Sequence, residues 1–368
     1  MKLLVLTQAV DTEDPILGFM HRWIEEIAKN YEHVEVICLK SGRFNLPSNV
    51  RIHSLGKPHS APPSLKATDG RSKASAGRGK RTISRIKYVS RFYSYIFSLR
   101  HDYDAVFVHM NQEYVLLGGL FWYLWGKPVV LWRNHKLGLF TTRIAAALSC
   151  TVCYTSPSAY AARFSNAVQM PIGIDTEHFR SIDEVKPHRN SILFLGRIDE
   201  VKRPLLFIDA LKALVTQGVP FHADIYGDPT YPNDLFFATF KSALAPLQSS
   251  CHVTLHPSSR NSDNPAIYSA HSVYVNLTPS GSFDKTIGEA MACGAIVVTA
   301  NSALRGILLE KLIAESDDGA QVARAIKVAL ELSSEEREQI VRASREYVDK
   351  KHSLRSLVDI LARLYSNK

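Results

Sequence analysis

Residues Thr278–Ala300 read TPSGSFDKTIGEAMACGAIVVTA, and the fold follows from how this stretch is divided. The apolar run Val273–Leu277 just before it has the length and composition of a strand. Pro, Ser and Gly residues then make a loop, Lys285–Ala292 has helical spacing, and Ala295–Thr299 returns to a β-branched run. Strand, loop, helix, strand is one βαβ unit, the repeat of a parallel sheet covered by helices.

The same alternation runs outward from it. In the second half, strands are expected at Ser191–Leu195, Phe221–Tyr226 and Val253–Leu255, with helices at Pro204–Gln217, Leu235–Leu247 and Asn264–Ala270. Three helices close the chain, at Gly319–Leu332, Ser334–Lys350 and Leu354–Ser366. Ser333 and Glu336 have the spacing of a capping box for the middle one. In the first half, strands at Lys2–Thr7, His33–Leu39, Ala105–Met110, Val129–Trp132 and Thr151–Thr155 alternate with helices at Pro15–Lys29, Ile83–Leu99, Tyr114–Trp125 and Thr141–Leu148. With 368 residues and two such series, the chain reads as two doubly wound α/β domains. Their expected limits are 1–170 and 191–353, with 171–190 as the connection.

Composition narrows the function classes. No apolar run reaches the length of a membrane span, and no leader pattern follows Met1-Lys2, so a cytoplasmic protein is expected. Cys150 and Cys153 form a lone C-x-x-C, and the five cysteines read as reduced thiols. The net charge of +9 is unevenly placed: residues 51–100 hold 12 Lys and Arg against one acidic residue. Within them, 57–81 is rich in Pro, Ser, Gly, Lys and Arg and is expected to be a mobile loop. Such a basic excess suits an anionic partner, either an acceptor or a membrane surface met through 57–100. No nucleic-acid-binding fingerprint is present, so nucleic acid is not an expected partner. Tyr88, Phe92, Tyr93, Tyr95 and Ile96 beside Arg85, Lys87, Arg91 and Arg100 fit either an interfacial helix or a helix packed in the core.

The residues that could carry chemistry fall at strand ends. The loop Thr278–Asp284 leads into a helix whose first N–H groups and dipole favour an anion. Glu289, one turn after Lys285, could accept hydrogen bonds from sugar hydroxyls, or could simply pair with Lys285 on the helix surface. Leu195–Pro204, LGRIDEVKRP, leaves a strand through Gly196 and sets Arg197 and Lys202 on the loop beyond it, where open α/β sheets bind ligands. Arg can grip phosphate oxygens with its planar fork, and Lys adds a point charge. In the first half His109 and His135 stand at or beyond strand ends, and the loop Thr7–Gly18 lies on the same edge.

At these residues the sequence resembles the retaining glycosyltransferases of family 4. LGRIDEVKRP is similar to that family's G-R-x-x-x-x-K segment, IYGDP (Ile225–Pro229) to its Gly-containing turn, PIGIDTEHF (Pro171–Phe179) to its N-G-V-D-x-x-x-F segment, and FDKTIGEAMACGAIVV to its donor-binding E-A-M-A-x-G-x-P-V-V segment. The resemblance implies the GT-B fold, two Rossmann-like domains facing across a cleft, with a C-terminal helix (354–368) crossing back to the first.

It also implies roles. Arg197 and Lys202 would hold the donor diphosphate, with Gly196 and Gly227 also in the donor site. The amides of Thr286 and Ile287 would face a phosphate, Phe283, Asp284 and Lys285 the sugar, and Glu289 the ribose. His135 would stand near the sugar, with His109 and Gly18 on the acceptor side. His135, Arg197 and Lys202 would carry the chemistry. The sequence departs from the family at Gly281, where an acidic residue is usual, and at Asp284, where Gly is usual. The expected activity is transfer of a hexose, with retention, from a UDP- or GDP-sugar to a glycan, lipid-linked or other cell-envelope acceptor. No metal or cofactor is expected, and association with the inner face of the cell membrane is. An epimerase of similar build and a silent nucleotide-sugar-binding scaffold are the alternatives.

Overall fold

A computed structural model of the chain describes every residue except 15, 59–75, 280–282, 315–317 and 367–368, and residues 76–84 by backbone alone. The chain divides into two compact units. One comprises Met1–Tyr154, Tyr160–Val168 and the stretch from Leu361; the other comprises Thr155–Ala159 and Gln169–Ile360. Residues 171–190, expected as a connection, pack within the second unit: Ile172, Ile174 and Phe179 are buried beside Tyr268, Ile287 and Met291.

The first unit is built on a seven-stranded sheet. Its elements are β1 (Lys2–Val10), α1 (Phe19–Ala28), β2 (His33–Ser41), β3 (Val50–Ser54), α2 (Ala76–Ser98), β4 (Ala105–His109), α3 (Gln112–Leu124), β5 (Val129–Trp132), α4 (Phe140–Ala147), β6 (Thr151–Tyr154) and β7 (Ala167–Gln169). The strand order is β3-β2-β1-β4-β5-β6-β7, and the pairs from β3 through to β6 are parallel. The central strands are buried on both faces, as their continuous Val, Leu and Ile runs require. On β2, Glu35 is wholly buried and is satisfied by His33 Nε2 at 2.7 Å and His53 Nε2 at 2.5 Å. Phe92 and Ile96 of α2 are core residues, so this part of the helix packs inward.

Two expectations change here. The loop anticipated over 57–81 ends sooner, because α2 already begins at Ala76. Gly77 and Gly79 signalled a loop, but Ala, Arg and Lys around them favour a helix. The strands β3 and β7 were not anticipated. The first is short and mixes Arg51, His53 and Ser54 with only two apolar residues, as an outer strand of a sheet can.

The second unit carries a five-stranded parallel sheet. Its elements are β8 (His188–Leu195), α5 (Pro204–Thr216), β9 (His222–Tyr226), α6 (Leu235–Ser249), β10 (Val253–His256), α7 (Asn264–Ser269), β11 (His271–Asn276), α8 (Lys285–Ala292), β12 (Ile296–Thr299), α9 (Gly319–Leu330) and α10 (Ser334–Lys351), with the first half of α11 (Leu354–Ser366), whose residues from Leu361 belong to the first unit. The order is β10-β9-β8-β11-β12. Helices α5, α6 and α9 seal one face of this sheet through Phe207, Leu211, Phe240, Leu244, Val322 and Ile326. Helix α8 covers the other through Ile287, Ala290 and Met291.

The expected capping box closes the start of α10: Ser333 Oγ accepts from Glu336 N, and Glu336 accepts from Ser333 N. Arg345 of α10 donates to the carbonyls of Thr176, Phe179 and Ala292, tying that helix to the end of α8. On β9, Asp224 is clasped by His256 Nε2 at 2.6 Å and His271 Nε2 at 3.0 Å. All five cysteines are free thiols. Among the described residues, no helix is long and apolar enough to cross a membrane.

Candidate functional site

The second sheet changes direction between β8 and β11. From β8 the chain turns through α5 to β9 on one side, and from β11 through α8 to β12 on the other. Loops leaving two such strands diverge and open a crevice at their carboxyl ends. Gly196–Arg203 and the approach to Asp284 are those two loops, so both sequence signals meet at one switch point. Ser280, Gly281 and Ser282 lie outside the described residues, and with them the position where the acidic residue is missing.

Asp284 is the hub. Its carboxylate is ion-paired with Lys202 Nζ. It accepts from Asn276 Nδ2 at 3.0 Å, Thr278 Oγ1 at 3.1 Å and Thr286 Oγ1 at 3.0 Å. It also caps α8 by accepting from Thr286 N at 3.3 Å, while its carbonyl accepts from Ile287 N at 3.1 Å. Burial alone would raise its pKa, but the Lys202 ammonium and these donors hold it well below the usual carboxylate range. The two amides expected to face a phosphate are therefore both engaged by Asp284. Tyr274 OH donates to Thr286 Oγ1 at 2.7 Å, fixing the threonine from beneath.

Lys202 reaches this hub through a specific turn. Asp199 Oδ1 accepts from Lys202 N at 3.1 Å, and Arg203 then adopts left-handed geometry (φ 54°) before Pro204 starts α5. A non-glycine residue in that region marks a conformation held by its surroundings. The stem of Lys202 packs over Gly196. Gly227 has to be glycine, because a Cβ there would overlap the Gly196 carbonyl oxygen. These two glycines thus bring the ends of β8 and β9 together. Arg197 is 47 % exposed at its side chain and lies 3.4 Å from Asp199.

Behind the hub sit Lys285 and Glu289. Lys285 Nζ donates to Gly173 O at 3.0 Å. Glu289 is only 2 % exposed, and Tyr268 OH donates to it at 3.4 Å. Burial drives the Lys285 pKa down and the Glu289 pKa up, each partly opposed by the charge of the other. A solvated pair on the helix surface does not describe these two residues. Asn276, Thr278, Tyr268 and Tyr274 complete the network and were not picked out from the sequence. Asn276 could have been, since it is a polar residue at the end of the apolar strand YVN.

In the first unit the order reverses between β1 and β4. Gly18 N donates to Asp14 O at 2.9 Å at the entry to α1, and the Asp14 carboxylate accepts from the amides of Ile16 and Leu17. His109, at the end of β4, is 4 % exposed and packs edge-on against Phe19 and Trp23. His135 is exposed in the loop after β5, its Nδ1 within 3.0 Å of both the N and the O of Leu137. Phe283 packs on His352 with ring centroids 5.0 Å apart. Among the described residues, no group of three or more His, Cys, Asp or Glu side chains is placed to hold a metal ion.

Residues 189–331 match the family described as glycosyl transferases group 1, a span containing the second sheet and the hub just described. Solved structures with the same fold extend over the whole chain. HepE of Anabaena, in complex with UDP and glucose, is similar with a TM-score of 0.74 and 16 % identity, covering 100 % of both chains. Sucrose-phosphate synthase from Thermosynechococcus elongatus has a TM-score of 0.73 and 17 % identity, covering 100 % of this chain and 99 % of that one. WaaG, a glycosyltransferase involved in lipopolysaccharide biosynthesis, has a TM-score of 0.62 and 16 % identity, covering 100 % of both. No curated protein matches the sequence. The fold is the GT-B fold. By its group 1 domain, the chain is a glycosyltransferase.

Proposed function

We propose that the chain transfers a hexose, with retention, from a UDP- or GDP-sugar to a hydroxyl of a glycan, lipid-linked or other cell-envelope acceptor, as the family 4 enzymes it resembles do. The observation that carries this reading is the convergence of Arg197, Lys202 and the start of α8 at the switch point of the second sheet, inside the matched domain. The Anabaena relative is in complex with UDP and glucose, which makes uridine the first base to try.

In the proposed reaction the bond from the sugar's C1 to the β-phosphate oxygen breaks and the diphosphate leaves with the electron pair. The acceptor oxygen forms the new bond to C1, and its proton passes to the departing diphosphate oxygen. Negative charge grows on the β-phosphate, and Arg197 and Lys202 stabilise it. Fixed charges aimed at developing charge are usually the largest catalytic contribution. Lys202 is already held by Asp284, so the site is ordered before the donor arrives, and a diphosphate competes with that carboxylate for the ammonium and for Thr286 N. Glu289 accepts from the ribose hydroxyls, and Lys285 lies one helical turn away to balance its charge. His135 and His109 belong to the acceptor side in this reading. Activity is expected to persist in EDTA, since the cations named here supply the positive charge a metal would. Membrane association through 57–100 follows from the local charge.

A thermal-shift screen with UDP-, GDP- and ADP-hexoses tests the reading, because a ligand that binds only the native state raises its apparent stability. A rise with one base family supports it. No rise with any of the three at millimolar concentration would sink it.

A further inference from the structure

A cavity of about 600 Å³ opens in the first unit. That is the size of a small-molecule site, roughly 300–1,000 Å³, rather than of a packing flaw. Its walls are almost wholly apolar: Leu39 and Leu55 from the sheet side, Val89 and Phe92 from α2, and Leu116 and Leu117 from α3. The polar groups are few. Arg85 shares one face of α2 with Tyr88, Val89 and Phe92, at helical spacing. Asn111 and Glu113 stand where β4 gives way to α3. The cavity therefore pairs apolar walls with three polar groups, Arg85, Asn111 and Glu113.

Its place in the fold gives it a role. Asn111 lies two residues beyond His109, at the carboxyl edge beside the first sheet's switch point. On that same edge, the loop after β5 and the start of α4 leave Leu137, Leu139 and Phe140 between 71 % and 75 % exposed. Large apolar side chains exposed within four residues of one another mark a surface that meets apolar material. Arg85 on the cavity wall and Lys87 on the same helix, both exposed, complement an anionic head.

We propose that this cavity takes the hydrocarbon chain of the acceptor, and that the acceptor is a membrane lipid with an anionic, phosphate-type head lying toward Arg85. The proposal rests on the glycosyltransfer reading and deepens it: among glycan, lipid-linked and other acceptors, it selects the lipid. The apolar walls bind the chain, Arg85 orients the head, and the acceptor hydroxyl is held at the sheet edge beyond Asn111.

The test uses the full chain, octyl phosphate and octanol below their aggregation limits, and calorimetric titration, with UDP-hexose binding measured on the same sample. Saturable binding of one octyl phosphate per chain is expected. Val89→Trp, which fills the cavity, should weaken it at least tenfold with Tm and UDP-hexose affinity retained. Arg85→Gln should weaken octyl phosphate at least threefold and leave octanol within twofold. Inorganic phosphate should not displace the amphiphile.

Several results would overturn the proposal. One is the absence of saturable binding while UDP-hexose still binds. Another is a Val89→Trp protein that binds as the parent does. A third is binding that appears only once residues 59–75 are removed, which would make this chain's own segment the occupant. Equal loss of octyl phosphate and octanol in Arg85→Gln would remove the anionic head. If UDP-hexose itself does not bind, the glycosyltransfer reading falls, and that outcome is distinct from all of these.

Discussion

Lys202 and Asp284, 82 residues apart in sequence, form an ion pair at the carboxyl end of the second sheet. One follows β8 and the other caps α8, so the pair joins the two loops that diverge from the switch point. The same carboxylate receives Asn276, Thr278 and Thr286. A substitution at either end of the pair therefore affects both loop order and the charge offered to a donor.

Arg197→Ala and Lys202→Ala should each lower kcat/KM by about a hundredfold, the usual scale for losing one preorganised charge at a transition state. Arg197 is half-exposed, so its variant should melt like the parent. Lys202→Ala leaves Asp284 without its ammonium and should also lower Tm. Steady-state release of nucleoside diphosphate, with a melting curve on each variant, checks both statements. Unchanged turnover in both would misplace the donor site.

Asp284→Ala should cost about 2–4 kcal/mol, because it removes a helix cap and breaks a largely buried ion pair. Asp284→Asn keeps hydrogen-bonding capacity toward Thr286 and should cost less. Denaturant midpoints of the two variants give the comparison. If both equal the parent, the hub contributes nothing to stability.

Acid should find a second weak point. Burial alone would raise the Asp224 pKa, but hydrogen bonds from His271 and His256 bring it down to about 2 from 3.8. A carboxylate whose folded pKa is lowered stabilises the fold above its unfolded pKa, and this contribution is lost as pH falls through the folded value. The window is thus about pH 4 down to about pH 2. The contribution at neutral pH is about 2 kcal/mol. Asp284, also lowered, adds loss in the same direction. Stability measured from pH 7 to pH 2 should fall less steeply below pH 4 in Asp224→Asn than in the parent. Identical slopes would contradict the assignment.

Much of this was legible in the sequence, and the limits have physical causes. The alternation of β-branched runs with helical stretches gave most strands of both sheets, and α8 and α11 to the residue, because period and composition are local signals. The polar strand Val50–Ser54 escaped because it has little apolar pattern to read. Arg197, Lys202, Lys285 and Glu289 stood out from local spacing, and Asp284 through the family resemblance, but their arrangement did not. Nothing local says that Lys202 meets Asp284, that Asp284 occupies the amides of Thr286 and Ile287, or that Glu289 is buried. Those facts follow from the strand order, which brings β8 beside β11. The clasp of Asp224 by His256 and His271 is of the same kind, contributed by β9, its neighbour β10, and β11 from beyond β8.

Removing residues 59–75 should leave UDP-hexose binding unchanged and reduce partitioning onto anionic vesicles. The segment carries Lys66, Arg71 and Lys73 against Asp69, and each basic residue near an anionic surface contributes roughly 1 kcal/mol. A roughly tenfold or greater loss is expected at low salt, shrinking as salt is raised. Vesicle sedimentation at two ionic strengths measures it, and equal partitioning of the two proteins at low salt would remove the electrostatic part of the docking.

The central claim is that the nucleotide sugar lies between Arg197, Lys202 and the start of α8. Photolabelling with an azido-uridine diphosphate hexose, followed by peptide mapping, tests it most directly. Label is predicted in the peptides carrying Gly196–Arg203 or Phe283–Glu289, and it should be competed away by unmodified UDP-hexose. Competable label confined to the first unit would contradict the account.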